Sequence, residues 1–454
     1  MKVERKNKPY EREQITFHLP KIKKLETQNG LSIWFVNKTE LPIVQIGLFV
    51  SAGSKFDPDD KKGLSYLTSM MLDEGAGNLT ALQLDDEFEQ MGTILKISAD
   101  HDSMALNMLS LSENFERSFD LFSKIVLQPK FSEEDFLREQ KKLIDKITQL
   151  SDEPSYLASA VFEKLMFEAN AYAFPTVGYG EHIKNISTDD LKHFHKEYFV
   201  PSNCNLIVVG NIEEKDLLNK IDDVFSSWID SKAAAKNFAE PKRGKLKAFI
   251  IDKPGAAQSE IRIGHITGKR DTETFFSKSL LNTILGGQFS SRINLNLRED
   301  KGYTYGANSS FSYNKLSGYF AVSTSVQSEN TVPAVNEILK ELKGIKRGIK
   351  KEEVEFAKSY LIKRFPSLFE TYSQIATHLS SKILYSLPDD YYDTYIKKIE
   401  KTSIDDIMNA AKENIFPGDA AILIVGDKKM IEEDLKNKIG QDIIELDING
   451  NKID

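Results

Sequence analysis

The sequence predicts an α+β protein of two homologous α/β-sandwich domains, each a mainly antiparallel sheet with helices packed on one face. Three observations predict it. The chain has 454 residues, too many for one ordinary hydrophobic core. The string STDDLKHFHKEYFVPSNCNLIVVGN at 187–211 matches SIDDIMNAAKENIFPGDAAILIVGD at 403–427 without a gap, so that Asp190, Pro201 and Gly210 recur as Asp406, Pro417 and Gly426 with a period of 216. Such a period is too long for a solenoid and means a duplicated domain. Each copy reads as strands, helices, strands, long helices, then a last strand and helix, an order that segregates the helices to one face of a sheet.

The elements follow in order. Residues 22–37 read as a hairpin about Asn29-Gly30, the strongest short turn signal, and IVQIGLFVSAG at 43–53 as the next strand. Helices are expected at about 63–73 and 80–90, and a strand pair over 93–111. A long helix begins at Ser132, a good N-cap followed by three acids, and SEEDFLREQKKLI (132–144) echoes KKEEVEFAKSYLI (350–362). The first domain is placed at 15–227, a polar linker with a proline at 228–245, and the second domain at 246–440.

The formal net charge of −8 argues against a nucleic-acid scaffold. The one cysteine, Cys204, lies in an apolar strand pattern and reads as a core residue. The opening MKVERKNKPYEREQ lacks the apolar stretch of a secretory leader, and runs such as AAILIV fall well short of a membrane span. A soluble cytoplasmic protein is expected; a trimmed leader would make it periplasmic.

The densest stretch is ILGGQFSSRINLNLREDKGYTYGANSSFSY, 284–313. Gly286 and Gly287 break the chain, Ser290 and Ser291 start a helix, and Gly302 ends it near Asp300 or Lys301. Tyr303, Tyr305, Ala307 and Ser309 then alternate as in a strand. Arg298 at the helix end and Tyr305 near the strand start are expected at one mouth. SSRINLNLREDKGYTYG resembles the second-domain signature of the pitrilysin/insulinase family of zinc peptidases, which places a tyrosine seven residues after an arginine. The resemblance covers about 20 to 435. It implies two such domains per unit and an Arg298/Tyr305 pair that binds peptide substrate opposite a zinc ion.

The zinc half of that resemblance is missing. The family's inverted motif, His-x-x-Glu-His on one helix, falls by register on GLSYLTSMMLDEG (63–75), where the ligand positions hold Tyr66 and Met70 and the base position holds Ser69. A tyrosine and a methionine are poor zinc ligands and a serine is no base. The third ligand position, seven after Glu139 on the long helix, holds Lys146. Paired with Glu139, Asp73 or Glu74, this lysine would replace the metal's charge. His193 and His195 lie two apart, on different helix faces, and none of the seven histidines sits in a ligand pattern.

The resemblance therefore implies a catalytically incomplete subunit of a heterodimeric processing peptidase. It binds no metal, and a homologous partner carries the zinc. Arg298 and Tyr305 would serve an extended peptide there. The alternative is a metal-free scaffold or peptide-binding protein, like the core subunits of the respiratory bc1 complex.

Overall fold

The computed structural model describes residues 19–453 except 169, 232, 234–237, 239–240, 242–243, 245–246 and 440–442. The N-terminal residues 1–18 and most of the expected linker lie outside the described residues. The first sheet comprises β1 (Lys23–Glu26), β2 (Ser32–Asn37), β3 (Ile43–Val50), β4 (Ile94–Ala99), β5 (Met104–Leu111) and β6 (Cys204–Gly210). The second comprises β7 (Lys247–Asp252), β8 (Gln258–Thr267), β9 (Ala307–Tyr313), β10 (Gly318–Gln327), β11 (Ala421–Gly426) and β12 (Ile443–Leu446). Their orders are β1-β2-β6-β3-β5-β4 and β12-β7-β11-β8-β10-β9.

The two orders agree strand for strand, as a duplication requires, except in the source of the outer strand. β1 precedes its neighbour and runs antiparallel to it. β12 arrives from the far end of the chain and runs parallel to β7. The repeat has a local cause as well. Ser187 and Ser403 each cap a helix and accept the amide of Asp190 or Asp406, whose carboxylate returns the bond at 2.8 Å, a reciprocal capping box.

One face of each sheet rests on helices of its own half. The other face is covered by a helix of the opposite half, an exchange not anticipated from the sequence. Tyr372–Leu384 lies on β3 and β6, where Ile375 and Leu379 join Trp34, Val36, Phe49, Ile207 and Val209 in one apolar cluster. Pro154–Phe167 lies on β8 and β11, packing Val161 and Phe162 with Phe249, Leu423 and Val425. Period-two strands buried on both faces account for the nearly unbroken apolar runs ILIVG and LIVVG.

Asp102, in the β4–β5 turn, pins the two halves together. It receives bonds of 2.7 Å each from Lys55 Nζ, the Tyr172 hydroxyl and the backbone N–H of Lys315 in the β9–β10 turn. Among the described residues no helix is long and apolar enough to cross a membrane.

Candidate functional site

In the second half, Ser291 has extended backbone angles and opens a short helix, Arg292–Asn294, that widens into a π-helical turn, Leu295–Asp300. The widening is visible in the bonds from Lys301 N to Asn296 O (3.0 Å) and from Tyr303 N to Leu297 O (2.9 Å). Such turns recur at functional sites. Ile293 and Leu297 are buried. Asn296 Nδ2 ties the turn to helix Thr331–Gly344 through Glu337 (2.9 Å) and Glu341 (2.8 Å).

Arg298 stands on this turn. Its guanidinium carbon lies 3.2 Å from the centre of the Phe289 ring, a cation–π contact. One terminal nitrogen pairs with Glu299. Its Nε is buried and has no hydrogen-bond partner among the described residues, a rare condition for a buried donor.

Gly302 then takes a left-handed conformation, φ +66°, as the sequence predicts. The expected strand from Tyr303 is corrected: β9 begins only at Ala307, paired with Thr324. Asn294 holds the chain out of the sheet until there. Its Oδ1 accepts the Ala307 N–H at 3.0 Å and its Nδ2 donates to the Ala307 carbonyl. Thr304 Oγ1 lies 2.8 Å from the Ser325 carbonyl and accepts the Gly306 N–H. Tyr303 turns partly into the core. Tyr305 is left 96% exposed on a loop braced from both sides. Phe289, Asn294 and Asn296 were missed by sequence reasoning. The signal was the pattern INLNL, which sets two asparagines in an apolar helix that must find partners.

In the first half, helix Leu64–Met71 starts at Gly63, φ +101°. The Asp57 carboxylate accepts the N–H groups of Gly63 (2.8 Å) and Ser65 (2.9 Å). Burial outweighs these bonds and pushes the Asp57 carboxyl up to about 7. Leu64, Leu67 and Met71 bury one face. Tyr66 and Met70 lie half-buried at its border.

Helix Glu133–Asp152, capped by Ser132, packs alongside. From it Lys146 Nζ donates to the Tyr66 hydroxyl at 2.6 Å and lies 5.1 Å from the ring centre. The buried Ser69 donates to the Tyr66 carbonyl at 2.6 Å. Tyr66, Ser69 and Lys146 are thus brought together. The expected carboxylate mates of Lys146 are not its partners. Glu139 accepts from Arg138 (3.2 Å) and Lys142 (2.5 Å), and Glu74 pairs with Arg138. These nearer cations outcompete Lys146, whose side chain extends to the phenol instead.

A zinc ion does not fit this arrangement. An ammonium already occupies the space between the helices, and its phenol partner is a weak ligand. Among the described residues no group of three or more His, Cys, Asp or Glu side chains is placed to hold a metal. His195 is half-buried, with Nε2 2.8 Å from the Val126 carbonyl, and desolvation lowers its pKa. His193 pairs with Glu197 at 3.4 Å. No hydrogen bond or ion pair among the described residues joins the Tyr66–Lys146 group to the Arg298–Tyr305 turn.

Comparison with known proteins identifies the family. Residues 33–178 match the family model described as insulinase, peptidase family M16, and 185–361 match the peptidase M16 inactive domain. The chain is 22% identical over 407 residues to the uncharacterized zinc protease YmxG of Bacillus subtilis, spanning 89% of this chain and 98% of that one. It is 23% identical over 394 residues to the non-peptidase homolog YmxG of Helicobacter pylori, spanning 86% and 90%. Among solved structures, a peptidase M16 inactive domain from Pseudomonas fluorescens superposes with a TM-score of 0.84 at 24% identity, covering 89% of this chain and 98% of that one. Two matched domains and a shared two-sheet fold lead to one assignment: the chain belongs to the M16, or insulinase, peptidase family.

Proposed function

We propose that this chain is the zinc-free subunit of a heterodimeric zinc metallopeptidase. A homologous partner supplies the zinc, and this chain supplies Arg298 and Tyr305. Arg298 donates to a backbone carbonyl of an extended peptide. Tyr305 donates to the oxygen that becomes negative as zinc-bound hydroxide attacks. The observation that carries the reading is the pairing of a firmly braced turn with a tyrosine 96% exposed on it. Structural tyrosines bury their rings; this one is held out to solvent. The unpartnered Nε of Arg298 supports the same reading.

The test is a native mass spectrum with metal analysis of the chain isolated from its own cells. A second chain of similar size bearing one zinc is expected. Arg298→Ala and Tyr305→Phe should each cut peptide hydrolysis by the complex on the order of 100-fold while leaving zinc content and pairing unchanged. A metal-free homodimer without peptidase activity would overturn the proposal and favour a scaffold or a peptide-binding protein.

A further inference from the structure

Phe289, under the Arg298 guanidinium, is flanked by Gln288 and Ser290, and both neighbours line a cavity of about 260 Å³. Ile284 and Ala357 form part of its lining, with Leu295 and Phe356. Leu295 is 43% exposed and Phe356 50% exposed, and Phe289 itself is 69% exposed. Three partly uncovered apolar side chains on neighbouring segments are more than scattered surface residues.

One boundary of the cavity is fixed. Arg292 Nε and a terminal nitrogen grip the Glu353 carboxylate at 2.6 and 2.7 Å, and Arg292 also bonds the Gly348 carbonyl at 2.9 Å. Both charges are thereby satisfied. Apart from Glu352, an exposed carboxylate in the lining, a charged side chain entering the cavity would lose its water and meet no free partner. An apolar side chain loses nothing.

The place in the fold is informative too. The cavity lies between helices Phe275–Leu285 and Lys351–Arg364, which pack together. Through the duplication these correspond to Leu64–Met71 and Glu133–Asp152. In the first half that cleft is spanned by the Lys146–Tyr66 bond. In the second half it is open, and Ile284, Leu295, Phe356 and Ala357 give it an apolar part.

We infer that this cavity is a subsite for one bulky apolar side chain, such as leucine or phenylalanine, of the peptide whose backbone Arg298 holds. Phe289 carries the guanidinium on its ring and borders the cavity through its neighbours, so the carbonyl and the side chain would belong to adjoining residues of one peptide. The inference rests on the peptide-binding reading above.

Two probes separate the two ideas. The first is N-acetyl-leucine amide against N-acetyl-alanine amide, titrated into the full chain with labelled methyl groups and followed at Ile284 and Leu295. The leucine amide should shift those resonances with at least about 10-fold tighter binding than the alanine amide. Phe356→Glu and Leu295→Glu, both at partly exposed positions, should abolish the shift. Equal binding of the two amides, or shifts elsewhere, would overturn the subsite. The second probe is a fluorescent nine-residue peptide with one leucine. Binding weakened by Arg298→Ala but not by Phe356→Glu would keep the reading and overturn the subsite. Binding weakened by Phe356→Glu alone would keep the subsite and overturn the role of Arg298. Broadening of the Leu295 methyls by the zinc-bearing partner without peptide would make this face a subunit contact and also overturn the subsite.

Discussion

Restoring the lost ligands tests whether the positions named above converge. The variant carries Tyr66→His, Met70→His and Lys146→Glu. The 2.6 Å bond from Lys146 to Tyr66 shows that side chains of those two positions meet, and position 70 lies one helical turn beyond 66 on the same face. The cost is modest. Lys146 is exposed, so losing its bond costs about 1 kcal/mol. Tyr66 and Met70 are only half-buried, and trimming them costs roughly another 1–2 kcal/mol. Zinc at 100 times its dissociation constant gives back about 2.7 kcal/mol. For a half of this size, that difference is roughly 5–10 °C in Tm between zinc-loaded and chelator-treated protein. Metal content after gel filtration and thermal unfolding with and without chelator provide the assay. One zinc per variant chain and none per wild-type chain is expected. A folded variant with no zinc and no thermal shift would refute the assignment of positions 66, 70 and 146.

Three further outcomes follow. Asn294→Ala leaves the Ala307 amide and carbonyl without their side-chain partner, so unfolding in urea should show a loss of about 1–3 kcal/mol, whereas Tyr305→Phe should stay within about 0.5 kcal/mol of wild type. Asp102→Ala strands the buried Lys55 ammonium and should cost about 3–5 kcal/mol, with the distance between spin labels in the two halves broadening; an unchanged distance would dismiss the pin. The Asp57 carboxyl is held above its ordinary value, so the folded state keeps that proton longer than the unfolded state does. Its contribution is complete below the ordinary carboxylate range and is lost as pH rises through about 7. Asp57→Asn should therefore flatten the fall in stability between pH 5 and 8, and an unaltered slope would reject that assignment.

The sequence made some of this structure readable and hid the rest for physical reasons. The Asn29-Gly30 hairpin, the cap at Ser132 and the left-handed Gly302 are decided by a few neighbouring residues, and each appears where expected. The start of β9 was misplaced because alternation at 303–309 could not reveal the clamp that Asn294 applies from thirteen residues upstream. The π-helical turn was hidden for a similar reason, since its anchor is the pair Glu337 and Glu341 on another helix. Lys146 was singled out through the register of the family resemblance, but its partner was decided by competition: Arg138 and Lys142 claim Glu139 first. The outer strand β12 could not be read, since only the presence of β7 makes an edge for it.

The crossed helices bear on how such a chain can be divided. Cutting it between the halves would strip Tyr372–Leu384 from the first sheet and bare Trp34, Val36, Phe49, Ile207 and Val209 to water. The severed first half would still carry Pro154–Phe167, a helix made to lie on a sheet it no longer has. Two copies of that half can satisfy each other by swapping this helix. A gene for a single half would thus encode an obligate twin rather than a free-standing domain. The duplication reads as that twin joined end to end, so that each half's bare sheet face is covered within one chain.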